Sequence, residues 1–136
     1  MKVLLPPGWP RPKGYSNGVA ARGALVFVAG QIGWTPEGRF EETSFAGQFR
    51  QTLANTIAVL AEAGAGPEHV VRMTWYITDK RAYLAAAPEL AQIWRALMGK
   101  TYPAMAVVEV AALIEDAALI EIETTAVVPD EVEVGG

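Results

Sequence analysis

The sequence contains no cysteine, which excludes disulfides, thiolate nucleophiles and cysteine-ligated metals together. It has a single histidine, His69, so neither a histidine-rich metal cluster nor a histidine-based triad can be built. Basic residues are scattered and outnumbered, eleven Lys and Arg against fifteen Asp and Glu, for a net charge of −4. Phosphate binding needs clustered cations, so no dedicated nucleic-acid surface is expected. No apolar run reaches membrane-spanning length, and Met1 to Pro7 is too short and too proline-broken for a signal-peptide core. Gly64-Ala65-Gly66 lacks the strand-turn-helix setting of a phosphate loop. These absences leave a soluble cytoplasmic protein with no nucleic-acid partner, no membrane partner and no metal.

What is present is a hydrophobic fraction of 51% in 136 residues, enough for one compact domain with a real core. The whole chain, 1–136, is therefore expected to be one domain, with 1–13 an extended lead-in and 129–136 a frayed tail. Four prolines and two glycines between residues 6 and 14 argue against a regular element there. Asn17 to Ala21 and Ala24 to Ala29 read as a hairpin turning at Arg22-Gly23, with Gly30 to Gly33 breaking the second strand. Phe45, Phe49, Leu53, Ile57 and Leu60 recur at helical spacing, Thr43 or Ser44 can cap that helix, and Gly64 can end it. Val70 to Thr78 reads as a strand, and Asp79 can cap a turn. Pro88 suits the first position of a second helix that runs to about Met98, with Gly99 beyond it. Leu90, Ile93, Trp94 and Leu97 form its apolar stripe.

Two further strands complete the order β-β-α-β-α-β-β, an α+β domain with both helices on one face of a mixed sheet. Side chains alternate along a strand, so Met105, Val107 and Glu109 share one side while Ile120, Ile122, Thr124 and Ala126 oppose Glu121, Glu123 and Thr125. The face left uncovered by helices is expected to carry Val107, Glu109, Glu121 and Glu123. Buried unpaired carboxylates are costly, so that face should meet solvent or a subunit junction with polar partners. A homo-oligomer with sites between subunits follows. On spacing alone Glu121 reads first as a solvated or interface carboxylate, Tyr15 as a packing or a ligand residue, and Trp75 and Trp94 as core.

Ordered fragments along nearly the whole chain carry a resemblance. They are Gly14-Tyr15-Ser16 with Gly18, then Val28-Ala29-Gly30-Gln31-Ile32, and Gln48, Gln51, Leu53 and Asn55 in the first helix. Glu62-Ala63-Gly64-Ala65, Val70-Val71 and Asp79 follow, then Tyr102-Pro103-Ala104, Val108-Glu109-Val110-Ala111 and Ile120-Glu121-Ile122-Glu123. The set resembles the RidA/YjgF family of reactive-intermediate deaminases, also catalogued as translation-inhibitor or L-PSP endoribonuclease proteins. That resemblance implies a chorismate-mutase-like fold and a homotrimer with small-molecule clefts between neighbours.

It also implies cofactor-free hydrolysis of enamines and imines to carbonyl compounds and ammonia. An imine carbon is already electrophilic, so the protein need only hold the substrate and direct water. By the same resemblance Glu121 is the catalytic, water-positioning carboxylate, and Tyr15, Gly30, Met105 and Val107 are the substrate-binding positions. Where the family carries an arginine that clamps the substrate carboxylate, this chain has Met105, which cannot form a charge-assisted bidentate contact. Altered specificity is the expectation, for example a 2-aminomuconate-type enamine, with Trp34, Trp75 and Met105 suiting a larger, flatter ligand. The alternative is a metabolite-binding, regulatory or chaperone-like trimer without turnover. The endoribonuclease label gains no support from an acidic chain without a histidine or lysine cluster.

Overall fold

The computed structural model describes residues 1–130. The chain runs β1 (Lys2–Leu4), β2 (Gly18–Ala20), β3 (Ala24–Ile32), α1 (Phe45–Glu62), a 3-10 turn (Pro67–His69), β4 (Val70–Ile77), α2 (Lys80–Met98), β5 (Ala104–Glu109) and β6 (Ile120–Val128). Four strands form one sheet in the order β3-β6-β4-β5, and β1 pairs with β2 in a separate two-stranded ribbon. β4 and β5 are parallel, as a helical crossover through α2 requires, and the other pairs are antiparallel. Both helices pack on one sheet face. Of the expected tail, residues 131–136 lie outside the described residues.

Helix α1 forms where its spacing predicts. The Ser44 side chain accepts from the Gly47 amide at 3.0 Å, and Gly64 takes φ +68°, the left-handed geometry that lets a chain leave a helix. Its inward residues Phe49, Leu53 and Leu60 are fully buried against Met73, Trp75, Ile120 and Ile122 of the sheet. Burying one such side chain contributes about 1.5–3 kcal/mol, so this seam holds the layers together. Gln48, also buried, spends its amide on the loop before β6: Nε2 donates to the Ala117 carbonyl at 2.8 Å and Oε1 accepts from the Leu119 amide at 2.7 Å. Asn55 does the same for the end of β3, donating to the carbonyls of Ile32 and Trp34. His69 has a structural task too, its Nδ1 accepting from the Gly66 amide to close the turn into β4.

Four sequence expectations are corrected. β2 and β3 do not form a hairpin; β2 turns back to β1, while β3 opens opposite Val128. Gly23, at φ +146°, makes this redirection, and a Cβ there would collide with the Val128 carbonyl. Gly30 does not break β3, which continues to Ile32 through a bulge between Val28 and Gln31. Helix α2 begins at Lys80, not Pro88: Asp79 caps it, accepting from Arg81 and Ala82 amides at 2.9 and 3.2 Å. Pro88 then lies inside the helix, exposed, and costs one hydrogen bond to the Leu84 carbonyl.

The fourth correction concerns the faces. Trp75 of β4 sits opposite Val107 and Ile122, and Tyr76 opposite Val108 and Glu121. Met105, Val107 and Glu109 therefore lie on the helix side, and only Glu121 and Glu123 of the expected set lie on the open side. In β5 Ala104, Ala106 and Val108 alternate with Met105 and Val107, apolar on both sides, and Glu109 ends the strand, so its own pattern points the second set outward; the pairing with β4 sets the phase instead. Glu109 ends up at the helix side's edge, where its Oε1 accepts from the Lys80 amide at 2.7 Å and adds a second cap to α2.

Candidate functional site

On the helix side, α2 and the edge strand β5 leave a cavity of about 610 Å³ between them. Its α2 wall is one stripe at spacings of three and four, Tyr83, Ala87, Leu90, Ala91, Trp94 and Arg95. The sheet wall is Trp75, Met105 and Val107, with Tyr102 beside them. Trp75 is the centre of an aromatic cluster, 4.9 Å from Phe49, 5.9 Å from Trp94 and 6.5 Å from Tyr83 between ring centroids. The Trp94 indole N–H donates to the Thr101 carbonyl at 3.0 Å, whereas the Trp75 indole N–H, equally buried, has no partner among the described residues.

Tyr15 reaches this pocket because the next residue is stitched to the strand. The Ser16 amide donates to the Pro103 carbonyl at 3.0 Å, the Ser16 hydroxyl donates to the Tyr102 carbonyl, and Ser16 bridges Ala104. Lys13 and Gly14 follow Tyr15 to the pocket rim. Tyr15 is half-exposed there, and its hydroxyl has no hydrogen-bond partner among the described residues.

Glu121 stands on the other side of the sheet. It lies against the bulge of β3, so close to Gly30 that a Cβ on Gly30 would fall 2.5 Å from Glu121 Oε2. No lysine or arginine pairs with it among the described residues. Around it lie Tyr76, Glu123 and the 110–114 segment, in a shallow cavity of about 290 Å³. The Tyr76 hydroxyl donates to Glu123 Oε1 at 2.6 Å. That hydrogen bond, then partial desolvation, then the charges of Glu123 and Glu121 hold the Tyr76 phenol above its ordinary value, with Arg72 opposing. The phenol thus stays neutral and donates, leaving Glu121 unshared.

The expected site residues thus fall into two groups. Tyr15, Met105 and Val107 meet in the helix-side pocket, and Gly30 and Glu121 meet on the open side. The strand β4 and the thickness of the sheet separate them. Trp34 joins neither group; it packs against Phe40 at 5.9 Å in the loop after β3. Sequence reasoning missed Lys13, Tyr83, Arg95 and Tyr76. The first turns of α2 were legible from Asp79, and starting the helix there would have placed Tyr83 and Ala87 on the Trp94 stripe. No group of three or more His, Asp or Glu that could hold a metal occurs among the described residues. No described helix is long and apolar enough to cross a membrane.

Two helices covering one face of a mixed sheet, with a ligand-sized pocket at the edge strand, define a small chorismate-mutase-like domain. Residues 10–128 match the family model described as Endoribonuclease L-PSP. A RutC family protein of Synechocystis sp. is 38% identical over 132 residues, 95% of this chain and 98% of the relative. The structure of YyfB, a Rid-family protein from Yersinia pestis, superposes with a TM-score of 0.81 at 34% identity, over 93% of this chain and 98% of that one. Escherichia coli TdcF, solved with bound serine, gives a TM-score of 0.68 at 31% identity over 93% and 98%. The chain belongs to the RidA/YjgF, or L-PSP, family.

Proposed function

We propose that the protein is a cytoplasmic homotrimer that hydrolyses an enamine or imine without a cofactor, at clefts between neighbouring chains. The observation that carries this is the free carboxylate of Glu121, packed on the Gly30 backbone beside a solvent-open cavity. A carboxylate so placed can accept a proton from water as the water oxygen bonds to the imine carbon. With the imine nitrogen entering protonated, the carbinolamine that results then collapses: the Glu121 carboxyl returns its proton to nitrogen, the C–N bond breaks while the hydroxyl proton passes back to the carboxylate, and ammonia leaves with a carbonyl compound behind. Residues of the two groups act on one substrate only when the open side of one chain faces the pocket of another, which is the reason for placing the cleft between copies. TdcF, described as a candidate reactive intermediate deaminase and 32% identical over 77% of this chain, supports the reaction class.

Met105 points to altered specificity. A thioether offers no donor to a carboxylate, so imines of short 2-keto acids lack the clamp that an arginine here would give. A flat enamine of the 2-aminomuconate type fits this reading. The test couples a pyridoxal-phosphate enzyme that releases an enamine to this protein and follows ammonia and carbonyl product. Faster release with the parent protein and no acceleration with Glu121→Ala is the expected result; equal rates would sink the catalytic assignment. A second reading, metabolite binding without turnover, is favoured by the apolar walls around Met105. It predicts ligand binding with no acceleration from either protein.

A further inference from the structure

The helix-side pocket has a charge pattern opposite to that of the protein around it. The chain carries a net charge of −4, yet the pocket's lining includes two cations, Lys13 and Arg95, and no carboxylate. Both cations are exposed at the rim, and neither forms an ion pair among the described residues. Below them the walls are aromatic and thioether, from Trp75, Trp94, Tyr83 and Met105. The cavity, about 610 Å³, lies in the range that drug-sized ligands occupy. At ~30 Å³ per water, a short-chain acid would leave most of that space wet.

We propose that this pocket takes an aryl-substituted 2-oxo or 2-imino acid, its ring stacked among Trp75, Trp94 and Tyr83 and its carboxylate held at the mouth by Arg95 with Lys13. The anionic anchor thus comes from α2 and the segment before Tyr15 instead of from residue 105 on β5. Arg95 lies one residue from Trp94 and four from Ala91 on the pocket stripe, so its guanidinium can pair with a carboxylate while the ring reaches inward. Tyr15, on the same rim, can donate to the second oxygen. The aromatic body explains why two alanines, Ala87 and Ala91, line the mouth: larger side chains there would close it. The assignment rests on the reading of this pocket as the substrate half of the cleft, and it concerns which acid is bound, not how it is hydrolysed.

The test is calorimetric titration of the intact protein with phenylpyruvate, pyruvate and phenylpyruvate methyl ester, none of which needs turnover to be read. Phenylpyruvate should bind at least tenfold more tightly than pyruvate and than its uncharged ester. Arg95→Ala should weaken phenylpyruvate about tenfold or more, the effect of one charge-assisted pair, and Arg95→Lys by less. The Arg95 side chain has no hydrogen-bond or ion-pair partner among the described residues, so these variants should melt as the parent does. Equal affinity for phenylpyruvate and pyruvate, or for acid and ester, would overturn the proposal, as would an Arg95→Ala protein that binds like the parent. Glu121→Ala separates the two readings. Tight phenylpyruvate binding with no enamine hydrolysis by the parent overturns catalysis alone. Hydrolysis of short imines with no aryl-acid binding overturns this pocket assignment alone.

Discussion

Gly30 shows how much a single missing side chain can decide. A methyl group there would meet the end of the Glu121 side chain, and a flexible carboxylate can swing aside more cheaply than backbone can move. Gly30→Ala should therefore keep stability within about 1 kcal/mol of the parent in denaturant unfolding, while turnover falls to that of Glu121→Ala. Met105 offers the opposite manipulation. Met105→Arg puts a guanidinium into a pocket already rimmed by Lys13 and Arg95, beside Tyr15 and Val107. Affinity for a short 2-keto acid such as pyruvate should rise roughly ten- to a hundredfold, the effect of a charge-assisted bidentate pair worth about 1.5–3 kcal/mol. Calorimetry reads this directly, and no gain would mean that the pocket is refilled around the new side chain. Residue identities of this kind were legible in the sequence, since Glu121, Gly30, Tyr15 and Met105 all stood out. Their division between two sides of a sheet was not, because strand phase is a property of pairs.

Among the elements, α1 was the most legible. Its apolar spacing and caps are local signals, so neighbours in sequence are enough to read them. Gln48 looked like one polar residue on that helix, and its work depends on residues about seventy positions away, at Ala117 and Leu119. Gln48→Ala would remove the side-chain partner of the Ala117 carbonyl and the Leu119 amide, both part-buried, at the loop feeding β6. Water can reach both groups in part, so the low end of roughly 1–3 kcal/mol per unsatisfied group applies: unfolding stability should fall by about 2 kcal/mol and the approach to Glu121 should loosen, so that turnover drops with stability. A stability loss without any drop in turnover would show that β6 holds Glu121 unaided. α2 was misread for a physical reason: proline at a first helical turn is common, but a capping aspartate with two amide partners is the stronger start signal. The bulge in β3 was misread as a break because glycine permits either, and only pairing with β6 shows that the strand continues.

At the scale of the whole molecule, the sheet's open side exposes more apolar surface than a lone chain favours. Phe27 is 72% exposed, Leu25 61% and Val108 41%, with Arg72, Thr125 and Glu123 beside Phe27 in a shallow cavity. Copies packing through this side would bury those groups. Phe27→Asp should leave a folded chain by circular dichroism and shift light-scattering mass from trimer to monomer at micromolar concentration. It should abolish hydrolysis at the same time if, as proposed, the open side of one chain must face the pocket of another. A parent protein that is a stable monomer would remove the shared cleft altogether.

If Glu121 and the pocket act on one substrate from different chains, as proposed, their separation by the thickness of the sheet makes activity a matter of genetics as well as chemistry. Two defective alleles can be written, Glu121→Ala, which spoils only the open side, and Ala91→Trp, whose ring plugs only the pocket mouth. Each homogeneous protein is inert. Unfolded together in equal amounts and refolded, they form mixed trimers, and each cleft draws its two sides from different chains independently. Half of the chains offer a sound open side and half a sound pocket, so about a quarter of the clefts receive both and the mixture regains about a quarter of parental activity. A protein carrying both changes in one chain, diluted equally with the parent, gives about a quarter as well, whereas a site built within one chain would give nothing in the first experiment and half in the second.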